Sequence, residues 1–311
     1  MEYVGIQTQQ SRNNMRSLLL LFLFPCVVMI LTFVFLYVFY YFVFDTNYPG
    51  NSFAIVFSWF VEVLPFVLGF VAIWFLIAYL WNTRIISKAT NSRTLERKEN
   101  KRVYNLVENL CMAQGMPMPK VNVIEDPSLN AFASGINDKS YTVTLTRGII
   151  EKLDDDELEG VIAHELSHIR NRDVRLLIVS IVFVGIFTMI MLTALHVAPR
   201  VRGKNSGGIV ILLYVLAAIA GLGTLCSTML RFTISRKREY LADAGAAEMT
   251  KKPLALANAL RKISGNPNVA SVTRDDVAQL FIEHSAAGKK KGSLFATHPP
   301  IGKRIEVLEQ F

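Results

Sequence analysis

The chain has 311 residues, of which 52% are hydrophobic and 19% are charged, and its mean hydropathy is +0.35. This composition is too apolar for a soluble domain of this size, so it predicts membrane-spanning segments joined to a folded polar part. The net charge is +8, but the basic residues lie beside the apolar runs without interleaved aromatic residues, which favours contact with anionic lipid headgroups and argues against nucleic-acid binding.

Four apolar runs, at about 18–44, 53–81, 174–198 and 209–230, are long enough to cross a bilayer as helices. The first run is too long for a signal peptide and no small-residue cleavage site follows it, so we predict a retained helix. Basic residues follow the second run closely, whereas the loop between the first two runs has only Asp45 as a charged residue; the basic residues are Arg84, Lys88, Arg93, Arg97, Lys98, Lys101 and Arg102. The positive-inside rule therefore places the N-terminus and the region from Arg84 onward in the cytoplasm.

The loop between the third and fourth runs contains Arg200, Arg202 and Lys204. A full hairpin would place these charges outside, against the positive-inside rule, so a shallow hairpin is the alternative. Hydropathy and the orientation set by the first pair favour four full spans.

Residues 82–173 between the two pairs predict a helix near 103–113, a strand near 121–125 and an alternating strand near 141–147. Gly135 and Asp138 mark a turn between the extended pieces. Residues 231–311 predict mostly helix, with interruptions at Pro253, 265–267 and 298–300.

Residues 164–168 read His-Glu-Leu-Ser-His, within a predicted helix whose first turn contains Asp154, Asp155 and Asp156. Two histidines four residues apart lie on one helix face and can bind a single metal ion. Glu165 lies beside them and can take a proton from a water molecule whose pKa a zinc ion lowers to about 7. The pattern predicts a zinc hydrolase, and the alternative is a helix with two solvated histidines.

A catalytic zinc has three protein ligands and one open position, so a third donor must come from elsewhere in the chain. Glu239 is the best candidate, because Glu239 and Asp243 share a helix face that is followed by small residues. Asp243 could accept the free ring N–H of one zinc histidine. A Glu and an Asp four apart are by themselves most often a solvated face, and Glu248 is the alternative third ligand.

The histidine helix has no proline or glycine between His168 and Val174, where the third apolar run begins. If the helix is continuous, the metal lies about 10 Å from the membrane boundary, at 1.5 Å per residue. Because His168 and Glu239 must meet at one ion, the two apolar runs between them must leave and return on the same side of the membrane.

These features resemble the HtpX family of membrane zinc metallopeptidases, which are related to the CAAX prenyl proteases. The resemblance covers nearly the whole chain, including the paired apolar runs, Asn130-Ala131-Phe132 ahead of a strand, residues 235–243 and Thr297-His298-Pro299-Pro300. It implies metal ligands His164, His168 and Glu239, an orienting carboxylate at Asp243, and Asn130 and His298 near the substrate. His298 could stabilise a developing oxyanion as a catalytic residue, or it could be structural. The family further implies a cytoplasm-facing endopeptidase of the bacterial inner membrane that clears misfolded or damaged membrane proteins.

The predicted fold is mostly α, with four transmembrane helices and a cytoplasmic zincin-like (gluzincin) α+β catalytic domain. Its small sheet has an edge strand next to the zinc helix that binds an extended substrate by strand addition. The predicted parts are a helix pair (1–81), a first catalytic part (82–173), a second hairpin (174–230) and a second catalytic part (231–311).

The predicted cofactor is one catalytic Zn²⁺, bound by His164, His168 and Glu239, with Glu165 as the general base. The predicted partners are the lipid bilayer and membrane-protein or unfolded polypeptide substrates. We expect no ATP, because no Gly-rich phosphate-binding loop is present. Two alternatives stay open: a peptidase similar to the CAAX prenyl proteases, and a membrane scaffold that binds zinc without turnover.

Overall fold

The computed structural model describes residues 6–43, 51–202, 206–269, 280–282 and 299–311. Its elements in chain order are α1 (Ile6–Val43), α2 (Ser52–Thr90), β1 (Arg93–Thr94), α3 (Lys101–Gln114), β2 (Lys120–Ile124), β3 (Ala131–Ser134), β4 (Thr142–Thr146), α4 (Arg147–Lys152), α5 (Asp155–Arg170), α6 (Asp173–Val197), α7 (Ser206–Thr250), α8 (Pro253–Ile263) and α9 (Ile301–Leu308). The chain divides into two compact units: a polar unit (Met1–Arg16, Trp81–Ile178 and Arg231–Phe311) and an apolar unit (Ser17–Leu80 and Val179–Leu230).

Among the described residues, three helices contain stretches that are long and apolar enough to cross a membrane, Phe22–Phe42, Ser52–Ile77 and Gly207–Thr228. Within the apolar unit, aromatic side chains join α1 to α2: the ring centroids of Phe33 and Phe60 are 5.5 Å apart and those of Tyr40 and Trp59 are 5.9 Å apart. The predicted third run is helical in α6, but its apolar stretch among the described residues, Val184–Arg200, is shorter than a span. The count of four spans therefore stays a prediction.

The sheet of the polar unit has the strand order β1-β2-β4-β3. β2 and β4 are parallel at its centre, and β1 and β3 pair antiparallel at its two edges. The strands predicted near 121–125 and 141–147 are confirmed as β2 and β4. β1 and β3 were not predicted, because two to four residues are too few to show an alternating pattern. Ala131 and Phe132, expected to precede a strand, lie within β3 itself.

α5 lies in the middle of the polar unit, where it packs against α3, α8, β3 and β4. Its start is fixed by a capping box: the Asp154 side chain accepts from the Glu157 amide, and the Glu157 carboxylate accepts from the Asp154 amide. The predicted acidic start of this helix is therefore confirmed. Reciprocal capping of this kind satisfies two of the amides that a helix N-terminus leaves without intrahelical partners.

The helix of the histidine motif does not continue into the third apolar run, so that prediction was wrong. α5 ends at Arg170, Arg172 takes a left-handed conformation with φ of 60°, and a new helix begins at Asp173. A non-glycine residue takes this conformation only when its surroundings hold it there, and here the turn brings the Asp173 carboxylate back to the ring of His168. The predicted distance of about 10 Å between the metal and the membrane boundary assumed a continuous helix, so this break removes the support for it.

The second part of the polar unit is mostly helical among its described residues. α7 is continuous from Ser206 to Thr250, so the fourth apolar run and the Glu239 motif lie on one helix. α7 ends just before Pro253, where α8 begins, and α9 follows Pro300, as predicted from the prolines. The packing of α5, α8 and α9 gives this unit its apolar core.

Candidate active site

The histidine motif lies on a buried part of α5. His164 is fully buried and Glu165 is 2% exposed. The two imidazole rings are close to perpendicular, with their centroids 4.7 Å apart and their Nε2 atoms 3.2 Å apart. The four-residue spacing therefore brings both ring nitrogens to one point, as helix geometry predicts.

Glu239 reaches the same point from α7. Its Oε1 is 3.6 Å from Nε2 of His168, and its Oε2 is 3.7 Å from Nε2 of His164. Within the described ranges, these three residues form the one group whose ligand atoms all lie within 4.8 Å of one another. The alternative third ligand, Glu248, instead forms an exposed ion pair with Arg170 at 3.1 Å.

This donor set fits zinc in both chemistry and spacing. Two imidazole nitrogens and a carboxylate oxygen are typical ligands of catalytic zinc. A tetrahedral ion with bonds of about 2.0–2.1 Å separates its ligand atoms by roughly 3.3 Å, close to the 3.2–3.7 Å found among His164, His168 and Glu239. The site can therefore hold zinc without rearrangement of the backbone.

Each histidine has a carboxylate on its other ring nitrogen. Nδ1 of His164 lies 2.9 Å from Oδ1 of Asp243, and Nδ1 of His168 lies 3.2 Å from Oδ2 of Asp173. Such a carboxylate fixes the ring orientation and leaves Nε2 for a metal. The sequence predicted Asp243 but missed Asp173. The available signal was an acidic residue five positions after His168, which a continuous helix would have placed on another face.

The buried charges shift the pKa values of this group. Burial opposes protonation of His164, but hydrogen bonds to Asp243 and Glu239 outweigh it and raise its pKa to about 9. Burial also opposes ionisation of Asp243, but the charge of Arg304 and the hydrogen bonds from His164 and Arg304 lower its pKa. Without a metal, the site therefore favours a proton on His164 and a charge on Asp243.

Glu165 faces the edge of the sheet. Burial raises its pKa above the usual value for a glutamate, and its carboxylate accepts a hydrogen bond from the backbone amide of Ala133 in β3. A carboxylate with a raised pKa can accept and return a proton near neutral pH. The position of Glu165 beside the histidines was evident from the sequence, whereas its contact with β3 is seen only in the structure.

α7 approaches α5 closely at Gly245, two residues beyond Asp243. A Cβ atom added to Gly245 would lie 2.2 Å from Oγ of Ser167. Ala242 and Ala246 are fully buried beside it. These small residues let the two helices come near enough for Glu239 and Asp243 to reach the histidines, as the sequence predicted.

Two buried arginines lie beside the site. Arg238 is buried and donates to the backbone carbonyl of Asp173 at 3.2 Å. Arg304 from α9 is completely buried and binds Asp243. Arg304 gave no local signal, because it lies far along the chain from the histidines.

Of the two residues predicted to lie near the substrate, the structure describes Asn130 but not His298. His298 lies outside the described residues. Asn130 is 1% exposed; its Nδ2 donates to the Pro267 carbonyl at 2.6 Å, and its Oδ1 accepts from the Ala131 amide at 3.0 Å. These bonds hold the start of β3, and a role of Asn130 in substrate binding stays a prediction.

Known proteins are similar to this chain over its whole length or over most of it. Residues 97–311 match Peptidase family M48. A protease HtpX homolog of Bacteroides fragilis is 58% identical over 100% of both chains. Another from Dictyoglomus thermophilum is 42% identical, covering 74% of this chain and 76% of the relative. The crystal structure of S. mikatae Ste24p aligns with a TM-score of 0.45 and 19% identity, over 89% of this chain and 62% of that one.

The family match includes both halves of the buried histidine and carboxylate group, and the Bacteroides fragilis relative extends it through the apolar helices. A donor set suited to a metal, an adjacent buried glutamate and membrane-length helices agree with that match. The chain therefore belongs to Peptidase family M48 and is a membrane metalloprotease.

Proposed function

We propose that this metalloprotease uses one zinc ion, bound by His164, His168 and Glu239, to hydrolyse peptide bonds of misfolded or damaged membrane proteins. The observation that supports this proposal most directly is the convergence of the three ligand atoms to within 4.8 Å. Three protein ligands leave a tetrahedral ion one open position, which is typical of catalytic zinc.

When bound, zinc supplies Lewis acidity, polarising the scissile carbonyl and making a water molecule acidic enough to lose a proton near neutral pH. Glu165 is the general base: its carboxylate takes that proton and then passes it to the nitrogen of the leaving amine. The Ala133 amide holds the Glu165 carboxylate at the edge of the sheet. Asp243 and Asp173 hold His164 and His168 in the ring orientation that directs Nε2 toward the ion.

β3 is the proposed binding strand for an extended substrate. Among the described residues, β3 is an edge strand of the sheet, and its strand partner is β4. On its other side, the Ala131 carbonyl accepts from the Ile282 amide at 2.9 Å and the Ala133 amide donates to Glu165. Strand addition on this side would bring a substrate backbone next to the general base. Hydrogen bonds to the main chain are independent of side-chain identity, which suits a protease with many substrates.

The location proposed for the site is the cytoplasmic face of the bacterial inner membrane. The basic residues after α2 support this orientation, because such residues stay on the cytoplasmic side. We propose four spans, with α6 and α7 as a full hairpin, since the orientation is set largely by the first helices. A membrane-bound protease with its site on this face can reach membrane proteins whose exposed segments have lost their fold.

Glu165→Gln tests the chemistry. We expect proteolysis of a detergent-solubilised membrane-protein substrate to fall by about 10²–10⁴-fold, because the base is lost, while zinc content stays at the wild-type level because the ligands are unchanged. Glu159→Gln, on the same helix but paired with Lys252 away from the site, is the matched control and should keep full activity. Full activity of the Glu165 variant would refute this mechanism.

A further inference from the structure

Arg304 is a completely buried arginine on α9, and its neighbour Lys303 is exposed. The guanidinium lies side-on to Asp243, with Nε donating to Oδ2 at 2.9 Å and Nη2 donating to Oδ1 at 2.7 Å. Nη1 donates to the Ile282 carbonyl at 3.2 Å. Two parallel bonds to one carboxylate and a third bond to a backbone carbonyl fix the plane of the guanidinium, which the single-point ammonium of a lysine could not do.

The same carboxylate oxygen of Asp243 serves two donors. Oδ1 lies 2.7 Å from Nη2 of Arg304 and 2.9 Å from Nδ1 of His164. A chain of contacts therefore runs from α9 through α7 to the histidine on α5. The terminal torsion of an aspartate is broad when nothing restrains it, so the two-point bond from Arg304 determines which way Oδ1 faces His164.

Electrostatic attraction to a metal does not explain this arginine. Nη1 of Arg304 is 3.5 Å from Oε2 of Glu239, and Nη2 is 3.4 Å from Nε2 of His164. A fixed positive charge so near a cation site repels the cation, and the negative charge of Asp243 offsets that repulsion. What the arginine adds is the orientation of the carboxylate.

We propose that Arg304 is a positioning residue for His164, acting through Asp243, so that a residue near the end of the chain sets the zinc affinity of the active site. This inference rests on the proposed zinc site. Residues that orient metal ligands typically change metal affinity by about 10–100-fold when they are replaced. Nη2 of Arg304 lies 3.4 Å from Nε2 of His164, but its shorter bond of 2.7 Å is to Asp243. Because Arg304 acts on the ring mainly through that carboxylate, its effect should lie near the lower end of that range.

The test measures the zinc dissociation constant of the purified full chain by competition with a chromophoric chelator. Arg304→Met should weaken zinc binding by about tenfold, and the exposed control Lys303→Met should leave it unchanged. Arg304→Lys keeps the charge but cannot form the two-point bond, so it should recover only part of the affinity. Wild-type zinc affinity in Arg304→Lys would overturn the positioning role. If Arg304→Met does not fold, the zinc affinity of Arg304→Lys alone decides between the two outcomes.

A double-variant comparison shows whether the effect passes through Asp243. If it does, Asp243→Ala with Arg304→Met should bind zinc no more weakly than Asp243→Ala alone. A further tenfold loss in the double variant would mean that Arg304 acts independently, through general stability of the fold, and would overturn the inference.

His164→Ala separates this inference from the proposed function. If His164→Ala binds zinc as well as wild type, the zinc site is wrong and the inference fails with it. If His164→Ala loses zinc while Arg304→Met keeps wild-type affinity, the site stands and only the inference is overturned.

Discussion

His164 combines complete burial with two acidic contacts, so its protonation competes with metal binding. Its Nδ1 faces Asp243 and its Nε2 lies near Glu239. A metal ligand must be deprotonated at the coordinating atom, so a proton competes with zinc at Nε2. The pKa of about 9 in the metal-free site means that this competition extends well above neutral pH.

Because the pKa of His164 in the metal-free site is about 9, we predict that zinc affinity rises with pH up to that value, by up to roughly tenfold per pH unit from this residue, and levels off above it. Chelator competition at several pH values, corrected for protonation of the chelator, measures this. In the metal-free chain, the stability contributed by His164 changes with pH in the opposite direction. The protonated His164 contributes stability that is fully present below its unfolded pKa of about 6.5 and is lost as pH rises through 9. An affinity that does not change over this range would show that His164 is not protonated in the metal-free state.

At the scale of elements, the site depends on the close approach of α5 and α7. Gly245 allows it, since a Cβ there would meet Oγ of the buried Ser167 at 2.2 Å. A methyl group at this position would force the helices apart or rotate the serine. Separation of the helices would move Glu239 and Asp243, which lie on α7, relative to the histidines on α5.

We predict that Gly245→Ala lowers stability by about 1–3 kcal/mol, despite the better helix propensity of alanine, and weakens zinc binding. Thermal melting and zinc competition measure the two effects. Gly302→Ala is the matched control, because a Cβ at that helical glycine meets nothing within 4 Å. Adding Ser167→Ala to Gly245→Ala should restore part of both losses; no restoration would mean that the clash lies elsewhere.

The elements differ in how well the sequence predicts them. α3, α5, β2 and β4 were predicted because caps, periodicity and alternation are local signals. The break at Arg172 was missed because no proline or glycine marks it; in the structure it is accompanied by a contact between the side chains of Asp173 and His168. β3 was missed as a strand because four residues show no pattern.

The site shows the same division between local and distant signals. The histidine motif is local in sequence, and the small residues around Asp243 indicated close packing of a second helix. Arg304 could not be predicted, since nothing near it in the sequence distinguishes a buried partner of Asp243 from the surface arginines of a basic chain. The roles of His298 and Asn130 rest on family resemblance alone and stay predictions.

At the scale of the whole molecule, the depth of the second hairpin decides the number of spans. The helical stretch Gly207–Thr228 is long enough to cross, whereas the apolar stretch described in α6 is shorter than a span. Arg200 and Arg202 at the turn argue against export, but the cost of a charge at the bilayer centre, about 2.5–3.5 kcal/mol, applies to residues that stay there and not to those that reach water.

We predict a full hairpin with residue 205 outside the cell membrane. A cysteine in place of Asn205, in a chain without its three native cysteines, should react with a membrane-impermeant thiol reagent on spheroplasts. A cysteine in place of Lys98, after α2, is the matched control and should react only after the membrane is permeabilised. If the residue 205 cysteine also requires permeabilisation, the hairpin is shallow and the four-span topology is wrong.

The central claim is that two distant parts of the chain, the histidine motif on α5 and Glu239 on α7, complete one zinc site. The most direct test is the zinc content per chain of purified Glu239→Ala at limiting zinc, compared with His164→Ala and with Glu248→Ala. We predict that Glu239→Ala loses zinc as His164→Ala does, while Glu248→Ala, which removes only an exposed ion pair with Arg170, keeps about one ion per chain. Full zinc content in Glu239→Ala together with loss in Glu248→Ala would contradict the account.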